Sequence, residues 1–137
     1  MQSCKKADLL VGAVLVHGAK APRIVTKAMI DSMKIGSVIV DVAIDQGGCV
    51  WGSKPTSHDD PIYEYEGKIY CCITNMPGQV PLQSTQALTH ETMPFLLAMA
   101  NKGVIEACKE DKGLAKGINT FKGRLVYEAV AKDLGLE

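Results

Sequence analysis

The sequence predicts an α/β fold: an incomplete parallel sheet followed by a helical carboxy-terminal region. Three observations lead there. Continuous apolar runs of strand length, at residues 9–16 and 37–42, flank a short helical pattern. The runs that end at Val40-Asp41-Val42-Ala43-Ile44-Asp45-Gln46-Gly47-Gly48 and at Ile73-Thr74-Asn75-Met76-Pro77-Gly78 give way to polar, turn-compatible residues. In an open parallel sheet, ligands bind beyond the carboxyl ends of the strands. From about residue 82 onward the periodicity is helical only, so the chain divides into residues 1–81 and 82–137.

Each element has its own local reason. The run 9–16 contains Gly12 and Ala13 and reads as a buried strand. His17-Gly18-Ala19-Lys20-Ala21-Pro22 follows as a loop, and Pro22 biases Ala21 away from helix. Thr26 is a plausible N-cap for a short helix with Ala28, Met29 and Met33 on its apolar face, and Gly36 ends it. Residues 37–42 form the second strand, so strand, helix and strand make one crossover unit. Residues 54–61 are polar and carry two prolines, as a surface loop does. The runs 62–65 and 68–70 flank Glu66-Gly67 as a hairpin, and 69–74 reads as a third strand. Further on, residues 84–90 read as a short helix capped by Ser84. A second helix follows at 92–102, with Met93, Leu96, Leu97 and Ala100 on one side. Gly103 interrupts it, and 104–108 continues for a turn or two. A short helix lies within 109–119, Phe121-Lys122-Gly123 is a turn, and 126–134 is a last helix capped by Gly135.

Composition narrows the function classes. The 137 residues are 47% hydrophobic and 22% charged, which is globular rather than disordered. Fifteen basic residues balance fifteen acidic ones. A nucleic-acid partner, which calls for a basic surface, is therefore not expected. The residues before Leu9 are polar and form no signal-peptide pattern, and no apolar run reaches membrane-span length. A soluble cytoplasmic protein without a membrane partner is expected. The five cysteines match no zinc spacing, and reduced thiols are the simpler account. No metal site is expected.

Asp45 stands at a strand end beside two glycines. A carboxylate there can bind an amine, hold a ribose hydroxyl, or bond its own turn. Gln46 can orient a ligand or brace the turn. Asn75 offers a carboxamide at a second strand end, for a ligand amide or carboxylate, or to shape its own loop. Met76 packs, and Pro77-Gly78 turns the chain. Lys20 and His17 are weaker candidates, and His58 and His90 are isolated. No Gly-x-Ser-x-Gly elbow or Gly-x-x-x-x-Gly-Lys loop is present.

Several of these stretches have a familiar counterpart. Residues Gly12 through Pro22, Val40 through Gly48 and Asn75-Met76-Pro77-Gly78 resemble the carboxy-terminal portion of bacterial alanine dehydrogenase. So do Gly117-Ile118-Asn119-Thr120 and Tyr127-Glu128-Ala129-Val130. The resemblance runs over almost the whole chain in order and spacing. It implies a Rossmann-like NAD-binding domain, of which residues 1–81 are the carboxy-terminal part. Residues 82–137 would return to the substrate domain. It also implies reversible oxidative deamination of L-alanine to pyruvate and ammonia.

Residue by residue, the resemblance makes Asp45 catalytic and Asn75 proximal to substrate and nicotinamide. It brings Val14, Leu15, Val42, Ala43, Ile44, Asp45, Ile73, Thr74, Asn75 and Met76 to the cofactor. The related transhydrogenases usually carry Glu at the Asp45 position and lack the Asn-Met-Pro-Gly stretch. His17 stands where the family usually has proline. The family's Gly-x-Gly-x-x-Gly loop and its substrate-domain lysine and histidine have no counterpart here. The chain is therefore expected to need an amino-terminal half or an oligomeric partner, and Met93, Phe95, Leu96 and Leu97 to be exposed without one. A nucleotide-binding module and a non-catalytic interaction module are the alternatives.

Overall fold

A computed structural model describes residues 2–136. The chain forms two compact units, one ending at Met76 and the other starting at Pro77.

The first unit opens with a short helix, α1 (Gln2–Lys6), which the sequence reading did not anticipate. Strand β1 (Leu9–Gly12), helix α2 (Lys27–Asp31), and strands β2 (Val38–Asp41), β3 (Ile62–Tyr65) and β4 (Lys68–Cys71) follow. They make one four-stranded sheet in the order β1-β2-β4-β3. β1, β2 and β4 are parallel, with Leu9 opposite Val38 and Val38 opposite Ile69. β3 is antiparallel to β4, so the sheet is mixed, which corrects the expected parallel sheet. The cause is the Glu66-Gly67 turn, where both residues have positive φ (50° and 71°). A two-residue connection of this kind can join only antiparallel strands.

All three parallel strands are shorter than the apolar runs suggest. β1 stops at Gly12, opposite Asp41, where β2 also stops. A Cβ at Gly12 would lie 2.6 Å from Cys49 Sγ and 2.8 Å from Val50, so only glycine admits this approach. β2 stops because the Asp41 carboxylate accepts the Ala43 N–H and turns Val42–Gln46 into a 3-10 helix. Just past β4, Ile73 makes an isolated bridge to Thr56.

One sheet face carries the core. Ile39 and Tyr70 point into it, and Ile30, Met33, Ala43, Ile44, Cys49, Val50 and Cys72 close over them. Burying each large aliphatic side chain here contributes about 1.5–3 kcal/mol. On the opposite face, Leu9 and Val11 are each 57% exposed, and Ile62 and Ile69 are exposed beside them.

The second unit is mainly helical. Helix α3 (Pro81–Lys102) runs through where two helices were expected. Pro94 lies inside it without ending it. Pro81 occupies the first turn, where its missing N–H costs nothing, and Val80 is the N-cap. Ser84 is therefore not the cap; its hydroxyl donates to the Pro77 carbonyl at 2.8 Å. Helix α4 (Val104–Glu110) and helix α5 (Lys112–Lys116) follow. Asp111 caps α5 by accepting from Gly113 and Leu114 N–H. The expected turn at Phe121 is a small hairpin, β5 (Thr120–Phe121) with β6 (Arg124–Leu125), before helix α6 (Glu128–Asp133). α3 buries none of its residues, and Met93, Phe95, Leu96 and Leu97 are all exposed.

Candidate functional site

The site grows from the carboxyl end of β2. Asp41 is fully buried and is the anchor of the whole loop. One of its oxygens accepts from Ala43 N–H (3.1 Å), and the other from Cys49 N–H (2.9 Å) and Val50 N–H (3.0 Å). The Cys49 thiol also donates to it at 3.4 Å. Burial pushes that thiol's pKa up, which keeps it protonated beside the carboxylate. A buried carboxylate is tolerated when several donors satisfy it. Gly48 (φ 77°) brings the chain against Asp41, and a Cβ there would lie 2.9 Å from the second oxygen.

This anchoring fixes the 3-10 turn that carries Asp45 on its exposed side. Both Asp45 carboxylate oxygens lie 3.2 Å from the Asn75 N–H and share that donor. The two strand-end loops read separately from the sequence are thus joined directly. Asn75 has φ 51°, a left-handed conformation that Asn tolerates better than most residues. Its carbonyl lies 3.2 Å from His58 Nε2. Thr56 braces the same segment, donating to Cys72 O and accepting from Thr74 through both the Thr74 N–H and hydroxyl. Asn75's backbone groups are thereby engaged on both sides, while its side chain has no such bond among the described residues.

Beside Asp45 lies a cleft of about 230 Å³ lined by Ala13, Val14, Leu15, Val42, Ala43, Asp45 and Gln46. Five of the residues expected to contact a cofactor line it: Val14, Leu15, Val42, Ala43 and Asp45. The other five do not. Ile44 and Ile73 are buried in the core, Thr74 is tied to Thr56, and Asn75 and Met76 lie at the neighbouring strand end. His17 and Lys20 are exposed on the loop after β1, and that loop is held by Ala21 N–H donating to Gln46 O at 2.8 Å. His90 lies on α3 in the second unit.

Sequence reasoning missed Asp41 and His58 as parts of this site. The signal for Asp41 was present: an acidic residue closing a Val-Ile-Val run must find buried donors or break the strand. His58 gave no signal, because its partner is seventeen residues away.

A family model for the alanine dehydrogenase/PNT C-terminal domain matches residues 1–128. The chain belongs to the alanine dehydrogenase/PNT family. It is 55% identical over 135 residues to the alanine dehydrogenase of Mycolicibacterium smegmatis, covering 98% of this chain and 36% of that protein. It is 53% identical to that of Bacillus subtilis, covering 96% and 35%. A solved L-alanine dehydrogenase superposes with a TM-score of 0.80 at 47% identity, over 98% of this chain and 37% of the other. A transhydrogenase from Sinorhizobium meliloti gives 0.69 at 28%, over 93% and 34%. The chain thus spans about a third of the length of these relatives.

Proposed function

We propose that this chain is the nicotinamide-proximal part of an NAD-dependent alanine dehydrogenase. Together with an amino-terminal half or an oligomeric partner, it would interconvert L-alanine with pyruvate and ammonia. Residues 1–81 would then be the carboxy-terminal part of an incomplete Rossmann-like domain, and 82–137 the segment returning to the substrate domain. The observation that carries this reading is the Asp45–Asn75 link at the carboxyl ends of adjacent parallel strands, beside an apolar cleft.

The cleft fits one end of NAD. Its walls are aliphatic, its volume is below the roughly 300–1,000 Å³ of sites that enclose a whole drug-sized ligand, and its polar groups sit on one turn. That suits a single ring carrying a carboxamide. When bound, NAD supplies the hydride acceptor. Asp45, exposed and ionisable, would hold the substrate amine and orient the water that completes deamination. Asn75, its backbone fixed by Asp45 and His58, would present its carboxamide to substrate and nicotinamide. Val14, Leu15, Val42 and Ala43 would exclude water from the ring. Ile44, Ile73, Thr74 and Met76 would act through the backbone they shape. The pyrophosphate loop would come from the remainder of the enzyme, since the sequence has no Gly-x-Gly-x-x-Gly. Five free cysteines suit a reducing cytoplasm.

The exposed sheet face at Leu9, Val11, Ile62 and Ile69 favours a second reading, an interaction module without turnover. One experiment separates the two. The chain is combined with the amino-terminal two-thirds of a matched alanine dehydrogenase, and alanine-dependent NADH formation is followed. Turnover is expected, with Asp45→Asn lowering it by about 100-fold or more. Complex formation without turnover would favour the interaction module, and near-normal activity of the variant would remove Asp45 from the chemistry.

A further inference from the structure

Residues 54–61 read as surface loop, yet part of this loop runs beside the strand end that carries Asn75. Thr56 N–H donates to Cys72 O at 2.9 Å, and Thr74 N–H donates back to Thr56 O at 3.1 Å. Thr56 and Ile73 form a parallel bridge. The Thr56 hydroxyl donates to Pro61 O at 3.1 Å, and Asp60 N–H donates to Ser57 Oγ at 3.2 Å, so the stretch is also closed on itself. An anchored neighbour two residues away thus delivers His58 to Asn75. The His58 Nε2 lies 3.2 Å from Asn75 O; a carbonyl only accepts, so the ring donates.

Asn75 is held through both of its peptide groups. The peptide before it gives its N–H to the two Asp45 oxygens, each at 3.2 Å. The peptide after it gives its carbonyl to His58 and leads into the 3-10 turn Met76–Gln79. Peptide groups are planar, so tethering both fixes φ and ψ together, and with them the direction of the Cα–Cβ bond. This matters because φ is 51°, a region that a residue other than glycine keeps only where its surroundings hold it. His58 is exposed and is not among the residues lining the cleft beside Asp45. It bears on that site through Asn75.

We propose that His58 is a positioning residue, whose hydrogen bond holds Asn75 in the left-handed conformation that sets its carboxamide and keeps its N–H on Asp45. The proposal rests on the alanine dehydrogenase reading above, and adds to it a residue that touches neither substrate nor cofactor. Without this bond the peptide after Asn75 turns toward ordinary backbone conformations, and Asn75 and Asp45 lose their common geometry. A misplacement of about 1 Å can cost about 100-fold in rate. Binding changes less, since on that reading most contacts to alanine and NAD come from the remainder of the enzyme.

Three variants test this in the complex with the amino-terminal two-thirds of a matched alanine dehydrogenase. His58→Ala removes the donor. His58→Gln places an N–H where Nε2 stood, and His58→Asn places one at the Nδ1 position, too short to reach. In the Ala and Asn variants kcat should fall about 10–100-fold while KM for alanine moves less than about threefold, and the Gln variant should return kcat to within about threefold of wild type. Unchanged kcat in His58→Ala would overturn the proposal. So would a raised KM at constant kcat, the mark of a substrate contact. A Gln variant as slow as the Ala variant would give the imidazole itself a chemical role and overturn it as well. No turnover by the wild-type complex would sink the dehydrogenase reading and, with it, the role in catalysis. The clamp on Asn75 is then decided on the chain alone by NMR. The Asn75 ¹³C shifts, which report a left-handed backbone, should move in His58→Ala and stay in place in His58→Gln; unmoved shifts in His58→Ala would overturn the clamp too.

Discussion

Asp41→Asn should weaken the fold by about 3 kcal/mol, and the figure follows from its donors. The carboxylate receives three backbone N–H groups at 2.9–3.1 Å and one thiol. Hydrogen bonds to charged groups contribute about 1.5–3 kcal/mol each. Asparagine keeps one oxygen, which best serves the paired Cys49 and Val50 N–H groups, now as weaker neutral bonds. Its NH₂ then faces the Ala43 N–H, donor against donor. Losing one charge-assisted bond, weakening two and adding that repulsion gives about 2–4 kcal/mol, a large share of a small domain's stability. Urea unfolding followed by circular dichroism should show a midpoint lower by about 1–3 M with an unchanged slope. Asp45→Asn is the internal control: its exposed carboxylate holds one donor, and its loss should cost under about 1 kcal/mol. A fall of less than about 0.5 kcal/mol for Asp41→Asn would refute the view that this carboxylate holds the loop. Equal falls for the two variants would refute the division of labour between them.

Gly48→Ala should destabilise by about 1–3 kcal/mol in the same assay, because φ is 77° and the new Cβ would meet Asp41 at 2.9 Å. Stability should also fall at alkaline pH. Burial pushes the Tyr70 phenol up to about 12 and raises Tyr63 and the Cys49 and Cys72 thiols as well. The folded state then holds protons that the unfolded chain releases, so stability declines from about pH 9–10 upward; a flat profile between pH 8 and 11 would contradict this. His58→Ala should speed hydrogen exchange at the Asn75 amide while costing under about 1 kcal/mol, since His58 is exposed. His58→Gln, which keeps a donor, should restore slow exchange, as NMR can measure.

The sequence made some features legible because they are local. Glu66-Gly67 signalled its hairpin as a two-residue break between apolar runs, with Gly67 free to take positive φ. Asp45 and Asn75 announced themselves as polar residues ending apolar runs. Their direct bond was not legible, because it spans thirty residues and depends on which strands become neighbours. Strand lengths failed for a related reason. Hydrophobicity sets how long a strand could be, but Asp41 and the close packing at Gly12 decide where the ladder stops. Helix α3 was divided at residue 91, between an expected 84–90 and an expected 92–102, yet the helix continues through that point and through Pro94.

The two units bury themselves very unequally, and this bears on what the chain needs. The first encloses a core led by Tyr70, Ile30, Ile39 and Val50. The second has Ala107 as its sole buried hydrophobic residue among those described, while Leu82, Leu88, Phe95, Leu96 and Leu97 of α3 lie open. A unit of that size has little margin even when its core is well formed. Its apolar side chains therefore call for a covering surface that its own unit does not supply. The relatives that the chain matches are about three times its length. The site follows the same logic at smaller scale: Asp45, Asn75 and the cleft are positioned within the first unit, while the cations that would hold a dinucleotide's phosphates are not among the residues lining it. On the proposed reading, the first unit would supply geometry at the nicotinamide end, and the remainder of an enzyme would supply the phosphate grip and the cover for α3.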